Sequence, residues 1–156
     1  MDADFERDVQ MLWALLFGVV LDAEKRLADF VAEQGLTPPQ FFVLKTLIEH
    51  GGSCAIGQIA REHHLTNATM SGLIQRMASA APPLVTRSAA AADRRSVLVT
   101  ITDTGQARFL AVQKAIMTQM NAVLRLLSPQ GRRDLLGYVQ RYLQIMTEQF
   151  PLSPRP

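Results

Sequence analysis

The hydrophobic pattern changes its period within residues 55–102, and this change constrains the fold more than any other feature of the chain. Two short stretches, AIGQIAREHH and NATMSGLIQRMASA, place apolar residues every three or four positions, which is typical of amphipathic helices. The stretches LVTR and SVLVTIT then favour β-strands, and the second of them alternates its apolar residues. The sequence therefore predicts two short helices followed by a β-hairpin with an exposed tip.

Longer helical patterns flank this segment on both sides. Residues 5–34 carry an apolar face, and Thr37 in TPPQ begins a second helix with a capping-box pattern. Two more helices are predicted at about 103–127 and 129–150, and the fold class is therefore mainly α with a small β-hairpin. The predicted inward residues are Phe41, Phe42, Leu44, Leu47 and Ile48 in the second helix, Ile56, Ile59, Ala60, Leu65, Met70, Leu73, Ile74 and Met77 around the short helices, and Leu135, Leu136, Val139, Leu143 and Met146 in the last helix.

Composition sets the broad class of the molecule. The chain has 156 residues, of which 48% are hydrophobic and 19% charged, as expected for a folded domain with a real core. The net charge of +2 is only a mild indication of an anionic partner. Residues 1–36 are predominantly acidic, so the basic excess lies downstream, where an ordinary solvated surface would also explain it.

The N-terminal region and the cysteine usage indicate where the chain resides. Its acidic start lacks the positive region of a signal peptide, and the apolar run at 11–21 is too short to span a bilayer. The only cysteine, Cys54, excludes an internal disulfide. We therefore expect a cytoplasmic protein without a membrane partner, in which Cys54 is a small buried apolar residue rather than a redox sensor.

The two short helices have the spacing of a helix-turn-helix, the motif that places its second helix in a DNA major groove. The start of the second helix presents short polar groups that suit base edges and phosphates: Thr66, Asn67, Thr69, Ser71, Gln75 and Arg76. His64 occupies the turn position where glycine is common, and histidine is enriched at positive φ among the other residues. An ordinary pair of helices in a helical core is the alternative.

With the hairpin added, the chain resembles the MarR family of bacterial transcription regulators. The resemblance is carried by LTPPQFFVLKTL, IGQIAREHHLTNATMSGLIQRM, LVTR and DRRSVLVTITDTG together with the terminal helices, and covers nearly the whole chain. It implies one MarR-like domain over 1–156, with a winged helix-turn-helix at 37–102 and dimerisation helices at 5–34 and 104–150. It also implies a homodimer that binds a pseudo-palindromic operator in double-stranded DNA, usually as a repressor released by a small ligand or an oxidant.

The dimer is also supported by helix length. A helix of about 30 residues is roughly 45 Å long, and its apolar face needs more covering than one chain offers. Pairing the terminal helices about a two-fold axis would set two recognition helices about one DNA turn, ~34 Å, apart. A monomeric helical bundle is the alternative.

The resemblance assigns DNA-binding roles to residues of the recognition helix, which is the second of the two short helices, and of the wing, which is the hairpin. These are Thr66, Asn67, Ala68, Thr69, Ser71, Gln75, Arg76, Arg87, Asp93, Arg94 and Arg95. The two arginines of DRR would approach the minor groove or its phosphates, and Asp93 would orient one of them. The chain departs from the family at residues 81–83, where APP replaces a single glycine, so we expect a different wing angle.

An effector crevice is implied between the dimer helices and the DNA-binding module, with Trp13, Phe17, Phe41, Phe42 and His50 as its lining. For any single one of these residues, ordinary core is the favoured interpretation. No cofactor, metal site or enzyme activity is expected, because the sequence has no phosphate loop, no paired carboxylates and no serine with a base, and the adjacent His63 and His64 point in different directions. The alternative functions are a helical protein-interaction module or a ligand sensor without DNA binding.

Overall fold

The computed structural model describes residues 2–90 and 96–152. The elements are α1 (Ala3–Glu33), α2 (Pro38–Glu49), β1 (Ser53–Ala55), α3 (Ile56–Glu62), α4 (Asn67–Ala78), β2 (Val85–Ala89), β3 (Val97–Ile101), α5 (Asp103–Arg125) and α6 (Pro129–Gln149). The predicted mainly helical class with a small β element is confirmed, and the helix bounds lie within two residues or so of the predicted ones.

Helices α2, α4, α5 and α6 begin where the sequence places short hydroxyl side chains. Thr37 forms a full capping box with Gln40 at the start of α2. The side chains of Thr66, Thr102 and Ser128 accept hydrogen bonds from the first-turn N–H groups of α4, α5 and α6. Each hydroxyl satisfies a donor that the helix itself leaves unpaired, which explains why these boundaries could be predicted from the sequence.

The sheet has three antiparallel strands in the order β1-β3-β2, one more than the hairpin that the sequence predicts. Strand β3 pairs with β2 from Val85↔Ile101 to Ala89↔Val97, and its other edge pairs with β1, with Cys54 opposite Val99. The short β1 was missed because three residues are too few to show an alternating pattern. Strand β3 is therefore central and has a partner on both edges.

The core of the first compact unit, Met1–Gln113, lies where α2, α3, α4 and the sheet meet. Its fully buried side chains include Leu44, Leu47, Ile59, Met70, Ile74, Met77, Val85 and Val99. In this unit, two predicted core positions are wrong: Phe42 is 45% exposed and Leu65 is 41% exposed. Phe42 follows the buried Phe41, and neighbouring helical residues point about 100° apart, so the two rings face different sides of α2. Leu65 follows the turn residue that ends α3.

The second compact unit, Lys114–Pro156, contains the end of α5 and the whole of α6. None of the residues of α6, which are all described, is buried within the chain. Its predicted inward residues, such as Leu136 and Leu143, are exposed. Within the described part of the chain, no helix combines the length and the hydropathy needed to cross a membrane.

Candidate nucleic-acid interface

Helix α4 has two chemically different faces. Met70, Leu73, Ile74 and Met77 are buried in the core, as predicted, and they recur at the three- and four-residue spacing of one helix face. Ala60 of α3 is also buried, and its small side chain suits the crossing of the two helices. The opposite face of α4 is therefore held outward by a well-packed core.

The first turn of α4 is exposed and has unpaired backbone donors. Thr66 is the N-cap; its Oγ1 accepts from the Thr69 N–H at 3.2 Å and lies 2.9 Å from the Thr69 hydroxyl. Asn67, Ala68 and Thr69 are all exposed. A helix N-terminus carries partial positive charge and free N–H groups, so this end of α4 suits a phosphate oxygen.

The turn before α4 has the geometry that the sequence indicated. His64 has φ 53°, in the left-handed region that glycine usually occupies. The N–H groups of His64 and Leu65 donate to the carbonyls of Arg61 and Ala60, at 3.2 and 3.0 Å, which closes the end of α3. His64 thus adopts the positive φ that glycine usually supplies at such a turn, as the sequence indicated.

Two histidine contacts join the C-terminal end of α3 to α2, next to this turn. His63 Nε2 lies 2.8 Å from the Oγ1 of the buried Thr46, and His50 Nε2 lies 2.8 Å from a carboxylate oxygen of Glu62. Burial lowers the pKa of His63, and the nearby Glu62 carboxylate opposes this shift. Sequence reasoning missed both contacts, because no local pattern signals a pair of residues 12 or 17 positions apart.

The outward side of α4 continues toward the hairpin. Gln75 and Arg76 are exposed, whereas Ser71 is half-buried. Arg87 in the middle of β2 donates from Nη1 to Oε1 of Gln75 at 2.6 Å, so the helix and the hairpin are joined by side chains. This contact brings together two of the predicted DNA-binding residues.

The described part of the hairpin ends at Ala90 and Ser96. The Ala90 N–H donates to the Ser96 carbonyl at 2.9 Å, one pair beyond the β2–β3 ladder. The predicted wing residues Asp93, Arg94 and Arg95 lie outside the described residues.

Gly105 in the first turn of α5 is a site residue whose role the sequence did not reveal. A Cβ atom placed on Gly105 would lie 2.2 Å from the carbonyl oxygen of Leu84, and 3.1 and 3.2 Å from the side chains of Ile101 and Leu44. Gly105 therefore allows α5 to approach the root of the hairpin, at Leu84 and Ile101, more closely than any larger residue would.

The five residues predicted to line an effector crevice lie in different environments. Phe41 is buried, with its ring stacked on Phe109 at 5.1 Å between centroids. Trp13 and Phe17 are exposed on α1 with their rings 4.3 Å apart. His50 is exposed at the end of α2, where it contacts Glu62.

Phe42, the fifth of these residues, is exposed and borders an apolar groove of about 500 Å³ between α1 and α2. The remaining lining consists of Val20, Ala23, Glu24, Leu27 and Pro38. Sequence reasoning missed these groove residues, which belong to ordinary amphipathic patterns. The same ring also borders a second groove of about 320 Å³, lined by Lys45, Thr46, Glu49, Glu62 and His63.

Cys54 is buried in β1, as predicted, and burial raises the pKa of its thiol. A raised pKa favours the protonated thiol, which is less reactive than a thiolate. Over residues 2–90 and 96–152, no group of three or more His, Cys, Asp or Glu side chains is arranged to hold a metal ion.

Comparison with known proteins gives a consistent family. The MarR family model matches residues 36–97, which contain α2 to α4, β2 and the first residue of β3. The HTH-type transcriptional repressor MdtR of Bacillus subtilis (strain 168) is 30% identical over 115 residues, covering 72% of this chain and 70% of MdtR.

Solved structures show the same fold. A MarR family protein from Bacillus stearothermophilus superposes with a TM-score of 0.80 at 24% identity, covering 95% of this chain and 99% of the other. A MepR-like protein solved in complex with pseudoligands has a TM-score of 0.56 at 28% identity, covering 88% of this chain and 95% of the other. The outward polar face of α4, the braced turn before it and the hairpin beside it are thus parts of a winged helix-turn-helix, and the chain belongs to the MarR family of DNA-binding transcription regulators.

Proposed function

We propose that this chain acts as a homodimeric repressor that binds a pseudo-palindromic operator through α4 and the wing, and that a small ligand releases it. The observation that carries the proposal is the exposed polar first turn of α4, held outward by four buried side chains on the opposite face. The name of the relative MdtR describes a transcriptional repressor, which supports the same direction of regulation here.

The DNA contacts divide into two kinds in this proposal. Thr66 and the free N–H groups at the start of α4 bind a phosphate and fix the register of the helix. Asn67, Thr69 and Arg76 reach base edges in the major groove, and Ala68 offers a methyl group to thymine. The arginine pair Arg94 and Arg95 adds contacts to the minor groove or its phosphates.

The apolar surface of α1 supports the homodimer. Within one chain, Trp13 is 66% exposed, and Leu12 and Phe17 are each 50% exposed. Further large side chains on α1 and α6, including Leu15, Val19, Leu136, Val139 and Leu143, are also 49–66% exposed. Isolated exposed apolar residues are ordinary, whereas contiguous helical faces of this kind mark an interface. A second copy of the chain would bury both helices.

The groove between α1 and α2 supports a small effector. It combines apolar walls with one carboxylate, that of Glu24, as ligand sites usually combine apolar surface with few polar groups. The related MepR-like protein was solved with pseudoligands, and we place a ligand of this chain beside Phe42 by analogy. The expected test result is a melting temperature raised by a bound aromatic compound in the wild type but not in Phe42→Ala.

The DNA-binding part of the proposal is tested by selection from a randomised duplex library followed by anisotropy titrations at several salt concentrations. We expect selection of a two-fold symmetric sequence and an affinity that falls steeply with salt. Arg76→Ala and the double variant Arg94→Ala/Arg95→Ala should each weaken binding by about tenfold or more, since a close base or groove contact contributes roughly 1–3 kcal/mol.

Arg7→Ala is the matched control for charge. Arg7 is an exposed arginine on α1 that pairs with Asp4 at 3.0 Å, so its loss removes the same charge without touching α4 or the hairpin. Equal losses in Arg7→Ala and Arg76→Ala would reduce the effect to net charge. No salt-dependent binding to any duplex would refute the function and favour a protein-interaction module or a ligand sensor.

The homodimer is tested separately by sedimentation velocity. A chain of 17.3 kDa should sediment at twice that mass at micromolar concentration. Trp13→Glu places a charge on the proposed interface and should shift the species toward the monomer. A wild type that sediments as a monomer would contradict the homodimer.

A further inference from the structure

The side-chain amide of Gln75 is held between two partners. Its Oε1 accepts a hydrogen bond from Nη1 of Arg87 at 2.6 Å, and its Nε2 donates to Oγ of Ser79 at 3.2 Å. Because a guanidinium only donates, the amide oxygen must face Arg87, and this fixes the orientation of the whole group. A glutamine that reads adenine needs its oxygen and its nitrogen aligned together on one base edge.

Gln75 lies on the outward line of α4. Ala68, Gly72 and Gln75 follow one another at spacings of four and three residues, which places them above one another on the same side of the helix. The line lies opposite the buried face. A glutamine on the outward face of α4 is an obvious candidate for base reading, yet the side-chain amide of Gln75 contacts the hairpin.

Arg87 is anchored in the middle of the sheet. It pairs with Val99 of β3, and β3 pairs in turn with β1. Side chains alternate along a strand, so Arg87 shares a face of β2 with Val85, which is fully buried in the core. Its guanidinium therefore starts from the core side of the hairpin and reaches α4.

The contact adds a second attachment between the hairpin and the helix. At the root of the hairpin, the Leu84 N–H donates to the Met77 carbonyl at 3.0 Å. A strand attached at its root alone can tilt about that point. The bond between Arg87 and Gln75 joins β2 to α4 three residues further along the chain than Leu84.

We propose that Gln75 is a positioning residue that acts on DNA through Arg87. It holds the hairpin at one angle to α4, so that helix and wing meet the operator as a single rigid surface, and it does not itself select a base. The inference rests on the proposed function and assigns a role within the same DNA-binding surface.

The experiment compares Gln75→Met, Arg87→Met, the double variant and Arg87→Lys with the wild type. Each protein selects its preferred sequence from one randomised duplex library, and its affinity for the wild-type sequence is measured by anisotropy. Gln106→Met is the control, since Gln106 is an exposed glutamine in α5. Circular dichroism and melting temperature establish that every variant is folded.

We expect each single methionine variant to lose about tenfold in affinity for DNA. The double variant should bind DNA no more weakly than the weaker-binding of the two single variants, because the two side chains act as a unit. Arg87→Lys should recover most of the loss, since lysine still donates to Gln75. The preferred base at every position should stay the same in Gln75→Met, which a base-reading role would not allow. Gln106→Met should bind as the wild type does.

Two results would overturn the inference while leaving the proposed function intact. One is a change of preferred base in Gln75→Met; the other is losses that multiply to about a hundredfold in the double variant, as independent contacts do. A wild type that selects no sequence would instead refute the proposed function, and this inference with it.

Discussion

Replacing Gly105 by alanine should push the first turn of α5 away from the root of the wing. The added Cβ would lie 2.2 Å from the carbonyl oxygen of Leu84, and this atom belongs to the backbone, so no rotamer change relieves the overlap. The same oxygen accepts a hydrogen bond from the Thr102 N–H at 3.1 Å, so a displacement large enough for the methyl group also stretches this bond. The helix and the start of β2 must separate by roughly 1 Å to reach ordinary contact.

The magnitude follows from two opposing contributions. Alanine stabilises a helix by up to about 1 kcal/mol more than glycine does. Overpacking of a close contact costs about 1–3 kcal/mol, and weakening a backbone hydrogen bond adds about 1 kcal/mol. We expect Gly105→Ala to lower the free energy of unfolding by about 2 kcal/mol, which corresponds to a fall of about 4–8 °C in melting temperature for a chain of this size.

Gly57→Ala is the matched control, because the added Cβ in α3 would meet only the end of the Arg61 side chain at 3.5 Å. Calorimetry or circular dichroism at one fixed protein concentration should show a higher melting temperature in Gly57→Ala and a lower one in Gly105→Ala. A melting temperature of Gly105→Ala equal to or above that of the wild type would refute the close approach of α5 to the hairpin root.

Three further predictions concern α4 and its support. Gly72→Ala and Gly57→Ala should each stabilise the protein by up to about 1 kcal/mol. Only the Gly72 variant should weaken DNA binding in anisotropy, because its added methyl group lies on the outward face of α4. Equal DNA affinities of the two variants would contradict this orientation. Thr66→Ala removes the N-cap and should cost about 1 kcal/mol in denaturant unfolding together with some DNA affinity, whereas Thr66→Ser should retain both. Burial lowers the pKa of His63 in the folded protein, so the unfolded chain binds a proton at this side chain more tightly than the folded chain does. The contribution of neutral His63 to the free energy of unfolding is therefore fully present above about pH 6.5, and it is lost as the pH falls through the lower pKa of the folded state. His63→Gln should show a smaller fall in melting temperature between about pH 7.5 and pH 5.5 than the wild type, and an equal fall would exclude His63 as the cause.

Local patterns predicted most of the fold. The buried face of α4 was visible because four apolar residues recur with the helical period, and the helix starts were visible because Thr37, Thr66 and Ser128 precede them. Strand β1 gave no such signal, since its pairing with β3 joins residues 47 apart in the case of Ser53 and Thr100. Pairing at that distance depends on the finished sheet.

The candidate site was predicted as a set of residues, but their contacts were not. Gln75 and Arg87 were both expected to contact DNA, and their direct hydrogen bond is not a property of either local pattern. Phe42 was expected in the core and lies between two grooves, because adjacent residues on a helix point to different sides and Phe41 takes the buried one. The packing of separate elements decided these features.

The position of β3 between two partners has a consequence for how this regulator can diverge. A slip of β2 by one residue against β3 would turn Val85 out of the core and reverse Arg87, and a slip of β3 itself would also break the pairing of Cys54 with Val99 on the other edge. The base of the hairpin therefore tolerates little change of length. A change of length within Val85–Ala89 or Val97–Ile101 would shift this register, whereas a substitution there would not. We therefore expect relatives that recognise different operators to differ in the side chains of these two strands and not in the length of the strands.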